Sequence, residues 1–353
     1  MAGEVPKQPS QIRVSHQAWL GSLRTRATVP LGQAWVGGAA WRSDSKRVAV
    51  YLSFGDGFVL DRESGSRVVA LPPPESSGSA HDIRYTPDDK FILLTGQALE
   101  RPKNFSVAMT LVDGETGAIV REIAGLVAPA VSPYPPSNIP EMIAFDPERS
   151  EIVTVPSAGL VGLEIFDPAT WRVSLRSLSV NSNNKFALRP RSRDIAFIGG
   201  RGTVRIMDRL SGEVVKHFQA LPADVTSIAY SPDGSLLLTA MLDLGNGRND
   251  TPVASIVDAQ KHKVVGWRTD GYTPAGAIGL DTRGVYSVQF HPDGAIFAVG
   301  SFDEVLLFDS SNFRLIARIP VHTRRISSLA FSPDGGTLAV GGTVQFSLIE
   351  PAL

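Results

Sequence analysis

Short apolar runs separated by polar turns cover most of the chain. SIAYS, LLLTAML, VASIVDA and VVGWRT follow one another in one stretch, and SVQFH, IFAVGS, VLLFDS and RLIARIP follow in the next. Runs of about 4–8 residues that are rich in β-branched and aromatic side chains and bounded by turn residues are typical of β-strands. No stretch of the sequence keeps the apolar period of about 3.6 residues that marks a helix. The pattern therefore predicts an all-β protein with almost no helix.

One turn pattern recurs seven times along the chain. It stands at positions 41–46, 85–90, 145–150, 188–193, 230–235, 290–295 and 331–336. The clearest copies read Ser-Pro-Asp-Gly or His-Pro-Asp-Gly after a large apolar residue. Proline fixes φ, aspartate accepts a hydrogen bond from the turn backbone, and glycine tolerates a positive φ. Each copy is therefore expected to join two antiparallel strands.

An acidic residue that ends an apolar run follows each of these turns. The seven markers are Asp61, Asp113, Asp167, Asp208, Asp258, Asp309 and Glu350. They recur about every 48 residues, slightly above the period of about 40–45 that propeller blades show. Each unit reads as four short strands, which cannot bury both faces alone and therefore stack radially. The pattern predicts a seven-bladed β-propeller of four-stranded antiparallel blades.

The two ends of the repeat array indicate how the ring closes. After the last turn only three strand-like runs remain, so the last blade lacks a fourth strand. The run at positions 23–31 precedes the first turn and has no blade of its own. We expect this N-terminal strand to join the last blade, because the pairing removes an exposed strand edge. The alternative is a loose N-terminal arm. Residues 1–19 are interpreted as a flexible segment and residues 20–353 as a single propeller domain.

Composition narrows the function classes only moderately. The 353-residue chain has 34 Lys and Arg against 35 Asp and Glu, which argues against a nucleic-acid surface covering the whole protein. The absence of cysteine excludes disulfides, thiolate catalysis and cysteine-ligated zinc. The polar start and the lack of a long apolar run favour a cytoplasmic protein without a membrane span. If a leader was removed from the sequence, the protein would instead be exported.

Several of these residues resemble the WD-repeat family. The best match runs from Val321 through His322 and the Ser-Pro-Asp-Gly turn to Gly342. Ser301, Asp303 and Phe308 stand where the family commonly has a Ser, a turn Asp and the Trp of Trp-Asp, and His81 fits the family's loop His more weakly. The resemblance implies a propeller fold and structural hydrogen-bonding roles for His81, Ser301, Asp303 and His322. It does not imply a particular function.

The chain also departs from the family pattern. None of the seven acidic markers follows a Trp, and the loop His is missing from most units. The family's His–Ser–Asp–Trp hydrogen-bond network is therefore expected to be incomplete, with packing between strands as the main source of stability. TolB-like propeller repeats, which also use Ser-Pro-Asp-Gly turns, are a close alternative.

The longest connections between predicted strands indicate a binding face. With the strands of a blade lettered a to d outward from the channel, the a–b turns are short, and the extra residues are assigned to b–c and d–a loops at 96–105, 125–140, 243–250 and 271–283. All four then lie on the same face, and repeat proteins often bind partners through such a face. The candidate partner-binding residues are Arg101, Lys103, Phe105, Tyr134, Asn246, Arg248, Tyr272 and Arg283. The alternative is that these loops merely cover the channel mouth.

The sequence carries no recognisable catalytic or metal-binding motif. The six histidines lack metal-ligand spacing, and His262 is interpreted as part of an exposed c–d turn. The acidic run 243–250 lacks the spacing of a calcium loop. We therefore expect a non-enzymatic scaffold that binds another protein or peptide, with no cofactor, no metal and no nucleic-acid partner. The alternatives are a lactonase-like propeller hydrolase, a propeller with a small-ligand or metal site at the channel mouth, and an exported TolB-like accessory protein.

Overall fold

The computed structural model describes most of the chain as antiparallel β-sheet. It covers residues 14–53, 56–72, 80–96, 107–124, 140–146, 151–156, 164–167, 169–176, 182–199, 202–222, 225–242 and 262–352. Within these ranges the strands form seven separate four-stranded sheets, and the one helical element is a 3₁₀ helix at His16–Leu20. The predicted all-β architecture with seven blades is confirmed.

Each blade runs from an inner strand a to an outer strand d. The inner a strands are β2 (Trp35–Trp41), β6 (Ala80–Tyr85), β10 (Pro140–Asp146), β14 (Ser182–Leu188), β18 (Val225–Tyr230), β22 (Ser287–Phe290) and β26 (Ser328–Phe331). The b strands are β3 (Arg47–Ser53), β7 (Phe91–Gly96), β11 (Glu151–Pro156), β15 (Asp194–Gly199), β19 (Leu236–Leu242), β23 (Ile296–Gly300) and β27 (Leu338–Gly341). The c strands are β4 (Phe58–Asp61), β8 (Val107–Asp113), β12 (Glu164–Phe166), β16 (Thr203–Asp208), β20 (His262–Arg268), β24 (Glu304–Asp309) and β28 (Gln345–Pro351). The outer d strands are β5 (Arg67–Ala70), β9 (Ile119–Ala124), β13 (Val173–Arg176), β17 (Val214–Gln219), β21 (Thr273–Gly279), β25 (Leu315–Pro320) and, in blade 7, β1 (Leu23–Pro30).

The a strands pack side by side around the ring. Each contacts the a strand of the next blade, and β26 of blade 7 contacts β2 of blade 1. The connections consequently divide between two faces. We call the face that carries the a–b and c–d turns the turn face, and the face that carries the b–c and d–a connections the loop face.

The N-terminal strand closes the ring, as the sequence predicted. Strand β1 pairs antiparallel with β28, in a register that runs from Leu23 opposite Pro351 to Pro30 opposite Gln345. Arg24 and Arg26 from β1 both reach the buried carboxylate of Glu350, at 2.6 and 3.0 Å. Backbone pairing and a buried carboxylate with two cations therefore join the two ends of the chain.

Hydrogen bonds between inner strands link neighbouring blades. The Ser227 hydroxyl accepts from Val288 N at 3.1 Å, and the Ser287 hydroxyl donates to the carbonyl of Ile326 at 2.7 Å. Asp82, which is fully buried, accepts from Ile143 N at 2.9 Å. Burial raises the pKa of Asp82. These side chains satisfy backbone groups between blades and fix the spacing of the a strands.

The c–d turns share a recurring geometry, which shows that the predicted strand assignment of one blade was wrong. Asp61, Asp113, Asp167, Asp208 and Asp309 each accept backbone N–H groups from two or three residues further on. These hydrogen bonds help lower the pKa values of the five aspartates. Four residues after the aspartate the backbone takes a positive φ, for example 67° at Gly65 and 60° at Phe313.

In blade 5 the same position belongs to Arg268, because Tyr272 has the positive φ of 51°. The prediction that Asp258 ends the third strand was wrong: strand β20 is His262–Arg268, and Asp258 lies outside the described residues. The placement of His262 in an exposed turn was also wrong, since its side chain is buried at the start of β20. The run VASIV is β-like in composition, and composition alone could not distinguish it from the true strand.

The segment before β1 is anchored to the ring. Trp19 is fully buried, and its indole Nε1 donates to the carbonyl of Gly335 at 2.9 Å. His16 donates its backbone N–H to Asp293 at 3.0 Å. The flexible segment predicted for residues 1–19 therefore does not extend to Trp19, whose ring completes the core between blades 6 and 7. Residues 1–13 lie outside the described residues.

The ion pair between Asp334 and Arg62 on the turn face predicts how the stability of the fold depends on pH. Asp334 accepts from Ser332 Oγ, Gly336 N and Arg62 Nη1 at 2.5, 2.9 and 2.6 Å. Burial alone would raise the pKa of Asp334, but these hydrogen bonds outweigh it and the pKa is lowered from 3.8. A carboxyl group with a lowered folded-state pKa stabilises the fold above its unfolded-state pKa, and this contribution is lost as the pH falls through the folded-state value.

Asp334→Asn should therefore reduce the free energy of unfolding at about pH 7, and the difference from the wild type should narrow below about pH 4. Urea unfolding at both pH values measures this. Asp270→Asn, at an exposed aspartate on the same face, is the control and should change little at either pH. A difference that stayed constant or widened in acid would contradict the assignment.

Candidate functional site

Four connections on the loop face surround a groove between blades 6 and 7. They are the d–a link 280–286, the b–c turn 301–303, the d–a link 321–327 and the b–c turn 342–344. The groove has a volume of about 700 Å³. Its lining residues are Arg283, Phe302, Asp303, Val321, His322, Thr323, Arg324 and Val344. The groove thus forms where the two b–c turns of blades 6 and 7 and the link between these blades meet the link from blade 5 to blade 6.

Arg283 forms one wall of the groove. Its guanidinium carbon lies 4.6 Å from the centroid of the Phe302 ring, and its Nη2 pairs with the carboxylate of Asp303. A cation stacked on an aromatic face and paired with a carboxylate is held in one orientation. Arg283 was a predicted partner-binding residue, and the structure places it at this groove, on the predicted face.

Arg324 lines the groove from the link 321–327, and the next residue, Arg325, hydrogen-bonds the Tyr286 phenol. The carbonyl of Arg324 accepts from Thr343 N at 2.8 Å and from Thr343 Oγ1 at 3.1 Å, and Arg325 N donates to the carbonyl of Phe302 at 2.7 Å. The backbone of this link is therefore fixed to both neighbouring turns. Both side chains are exposed, and no ion pair found among the described residues includes either guanidinium.

The electrostatics of the groove differ from those of the whole protein. Its four connections carry three arginines against two aspartates, and Asp303 is already paired with Arg283. Burial raises the pKa of the Tyr286 phenol, and the neighbouring Arg325 partly offsets that rise. The groove thus presents a local positive potential on a chain whose formal net charge is -1.

Apolar side chains complete the groove and continue beyond it. Phe302 and Val321 line its wall, and Val344 at its end is 42% exposed. Trp35, 36% exposed, precedes Val36, whose N–H donates to the carbonyl of Gly342 in the same turn as Val344. The exposed Val344 and the exposed guanidinium of Arg324 line the same groove, which can therefore contact both apolar and acidic groups.

The residues with predicted structural roles contribute differently than expected. His322 is exposed at the groove, and none of the hydrogen bonds found within the described ranges involves its ring. Ser301 is buried and acts through its backbone, whose N–H and C=O bond Glu304 and Ile326; its hydroxyl has no hydrogen-bond partner among the residues described. Asp303 pairs with Arg283. The side chain of His81 lies outside the described residues.

Tyr272 does not lie at this site. It stands in the c–d turn of blade 5, on the turn face, because the stretch 273–279 that was assigned to a loop is strand β21. Its hydroxyl is 2.9 Å from the Tyr230 hydroxyl, and its ring stacks on Phe218 of blade 4 at 5.5 Å. Tyr272 is therefore a packing residue between blades 4 and 5.

The other candidates fall on stretches that the structure does not describe. Arg101, Lys103, Phe105, Tyr134, Asn246 and Arg248 all lie outside the described residues. The prediction for these residues therefore stays a prediction. The stretch 271–279 is described, and it is not a d–a connection: it holds the end of the c–d turn of blade 5 and strand β21.

Sequence reasoning missed Phe302, Arg324 and Val344. The adjacent arginines at 324 and 325, which follow His322 and Thr323, were an available signal. Their significance depends on the b–c turns of blades 6 and 7 lying beside them, which only the register of the blades reveals.

Two negative findings concern the described residues alone. No group of three or more His, Asp or Glu side chains there is arranged to hold a metal ion. No helix in those ranges has the length and hydrophobicity required to span a membrane.

Comparison with known families supports the repeat assignment. Residues 212–244, 279–307 and 313–343 match the model of the WD domain, G-beta repeat. The matched segments lie within blades 4 to 7, the half of the ring that contains the groove. The three matched repeats and the seven four-stranded blades together make this chain a seven-bladed β-propeller consistent with the WD-repeat family.

Proposed function

We propose that this chain is a non-enzymatic protein-interaction scaffold that binds its partner through the loop face, at the groove between blades 6 and 7. WD-repeat propellers generally act as protein-interaction scaffolds, which supports the general class. The observation that carries the choice of face is the arrangement around Arg283: a guanidinium held between Phe302 and Asp303, facing two further arginines and exposed apolar side chains. Aromatic residues and arginine are the residue types that contribute most to protein interfaces.

The rigidity of the groove also supports this function. The link 321–327 is bonded by its backbone to the b–c turns of both neighbouring blades, at Phe302 and at Thr343. A preformed surface loses little conformational entropy when a partner binds. The groove is therefore suited to binding without rearrangement of the ring.

A groove variant and a control variant on the turn face test the proposal. Arg324→Glu combined with Val344→Asp changes two exposed groove residues, and Arg268→Glu reverses an equally exposed arginine on the turn face. Affinity purification from native cells, followed by mass spectrometry, should recover the same specific partners with the wild type and with Arg268→Glu. The groove variant should lose them while its melting temperature stays close to that of the wild type. Retention of all partners by the groove variant would refute the assignment of this face.

A further inference from the structure

We propose that the groove between blades 6 and 7 recognises an acidic linear peptide segment that also carries an apolar side chain. This inference rests on the proposed function and adds the chemistry of the partner. It depends on two observations: the distribution of charge around the groove and the apolar wall.

The charge distribution selects for carboxylates. Arg283 already has Asp303 as its partner, and the Arg325 side chain hydrogen-bonds the Tyr286 phenol. An incoming anion would therefore meet chiefly Arg324, which lines the groove and whose guanidinium forms no ion pair with any residue the structure describes. Arginine binds carboxylates through two parallel hydrogen bonds, which gives both strength and direction. A basic or neutral segment would leave this cation without compensation.

The apolar wall favours a peptide over a nucleic acid. Phe302, Val321 and Val344 line the groove, and Val344 is 42% exposed. A leucine or phenylalanine side chain would bury this surface. A phosphate backbone would instead require more cations along a continuous track, and the groove is bordered by Asp281 and Asp303 as well as by arginines.

Selection from a random linear peptide library displayed on phage tests the proposal directly. The full chain is immobilised, and clones that also bind Arg324→Glu are removed. The enriched sequences should contain several Asp or Glu residues next to a Leu, Phe or Tyr. Enrichment of neutral or basic sequences, or of none above background, would overturn the acidic-peptide proposal.

Affinity measurements on one enriched peptide then assign the contacts. Fluorescence anisotropy should show a loss of about tenfold or more in affinity when its carboxylates are replaced by amides, and a similar loss for Arg324→Glu. Arg324→Lys keeps the charge but loses the two parallel hydrogen bonds, so its affinity should fall between those of the wild type and Arg324→Glu. Arg268→Glu should match the wild type. Equal binding of the amide peptide would contradict the proposal, as would stronger binding of a single-stranded thymidine oligonucleotide.

The two proposals can fail separately. If the Arg324→Glu/Val344→Asp variant loses its cellular partners but selected peptides are not acidic, the groove is the interaction site and only the partner chemistry is wrong. If that variant retains all its partners, the face itself is wrong.

Discussion

Arg209→Ala is expected to lower the free energy of unfolding by about 3–5 kcal/mol, because it leaves a buried carboxylate without its cation. Arg209 follows β16 in blade 4, and its Nη1 pairs with Asp146 at the end of β10 in blade 3. Both side chains are more than nine-tenths buried. Burial lowers the pKa of Arg209, because removing the charged guanidinium from water is unfavourable. The ion pair with Asp146 stabilises the charged form in this buried position. Denaturant unfolding measures the loss.

Two further variants separate charge from packing. Arg193→Ala removes an exposed arginine on the same face and should change stability by less than about 0.5 kcal/mol. The double variant Arg209→Met/Asp146→Leu removes both charges and should be clearly more stable than Arg209→Ala alone. A loss below about 1 kcal/mol for Arg209→Ala would show that the pair does not hold blades 3 and 4 together.

Trp19→Ala is expected to cost a similar amount, about 3–5 kcal/mol, through the loss of a fully buried aromatic side chain. The indole contacts Phe331 edge-to-face, with ring centroids 5.3 Å apart, and its N–H satisfies the carbonyl of Gly335 in the a–b turn of blade 7. The substitution would leave a cavity between blades 6 and 7 and remove one of the two hydrogen bonds at the Gly335 carbonyl, which also lies 3.1 Å from His291 Nε2. Equilibrium unfolding in urea measures the effect.

Leu20 provides the matched control for Trp19. It is the next residue and half exposed, so Leu20→Ala should change stability by less than about 0.5 kcal/mol. Trp19→Phe should recover much of the packing but not the hydrogen bond to Gly335. If Trp19→Ala behaved like Leu20→Ala, the segment 14–20 would not contribute to the ring.

The blade count and the ring closure could be predicted because each depends on local signals. Turns such as the one at Asp334 have a chemistry that forces a chain reversal, and seven copies determine the number of blades. The unpaired run before the first turn and the missing strand after the last indicated the pairing of β1 with β28. These inferences needed only residues that are adjacent in sequence.

Features that depend on contacts between blades gave no such signal. Blade 5 has Arg268 where other units have aspartate, so the acidic marker was assigned to Asp258 and Tyr272 was assigned to the wrong face. Trp19 follows the polar stretch Ser15-His16-Gln17 and reads as part of a tail, although its ring reaches blade 7. The partners Arg209 and Asp146 belong to neighbouring blades and lie far apart in the sequence. Composition and spacing along the chain do not encode these distances.

The candidate site was predictable as a face but not as a groove. Arg283 was identified because its link was assigned to the loop face, and that placement holds. Its partners Phe302 and Asp303 belong to the next blade, and Arg324 belongs to the link after it. Three separate connections become one surface only when the blades are arranged around the axis.

The pairing of β1 with β28 has a consequence for biosynthesis. A ribosome produces β1 before blade 1 and its partner β28 only after blade 6, so β1 waits without its hydrogen-bond partner while six blades are made. Blades 1 to 6 can assemble as they emerge, whereas the seventh becomes complete only once β28 has emerged as well. Until then the nascent chain exposes an unpaired strand edge at each end, and this interval is when chaperone protection would matter most.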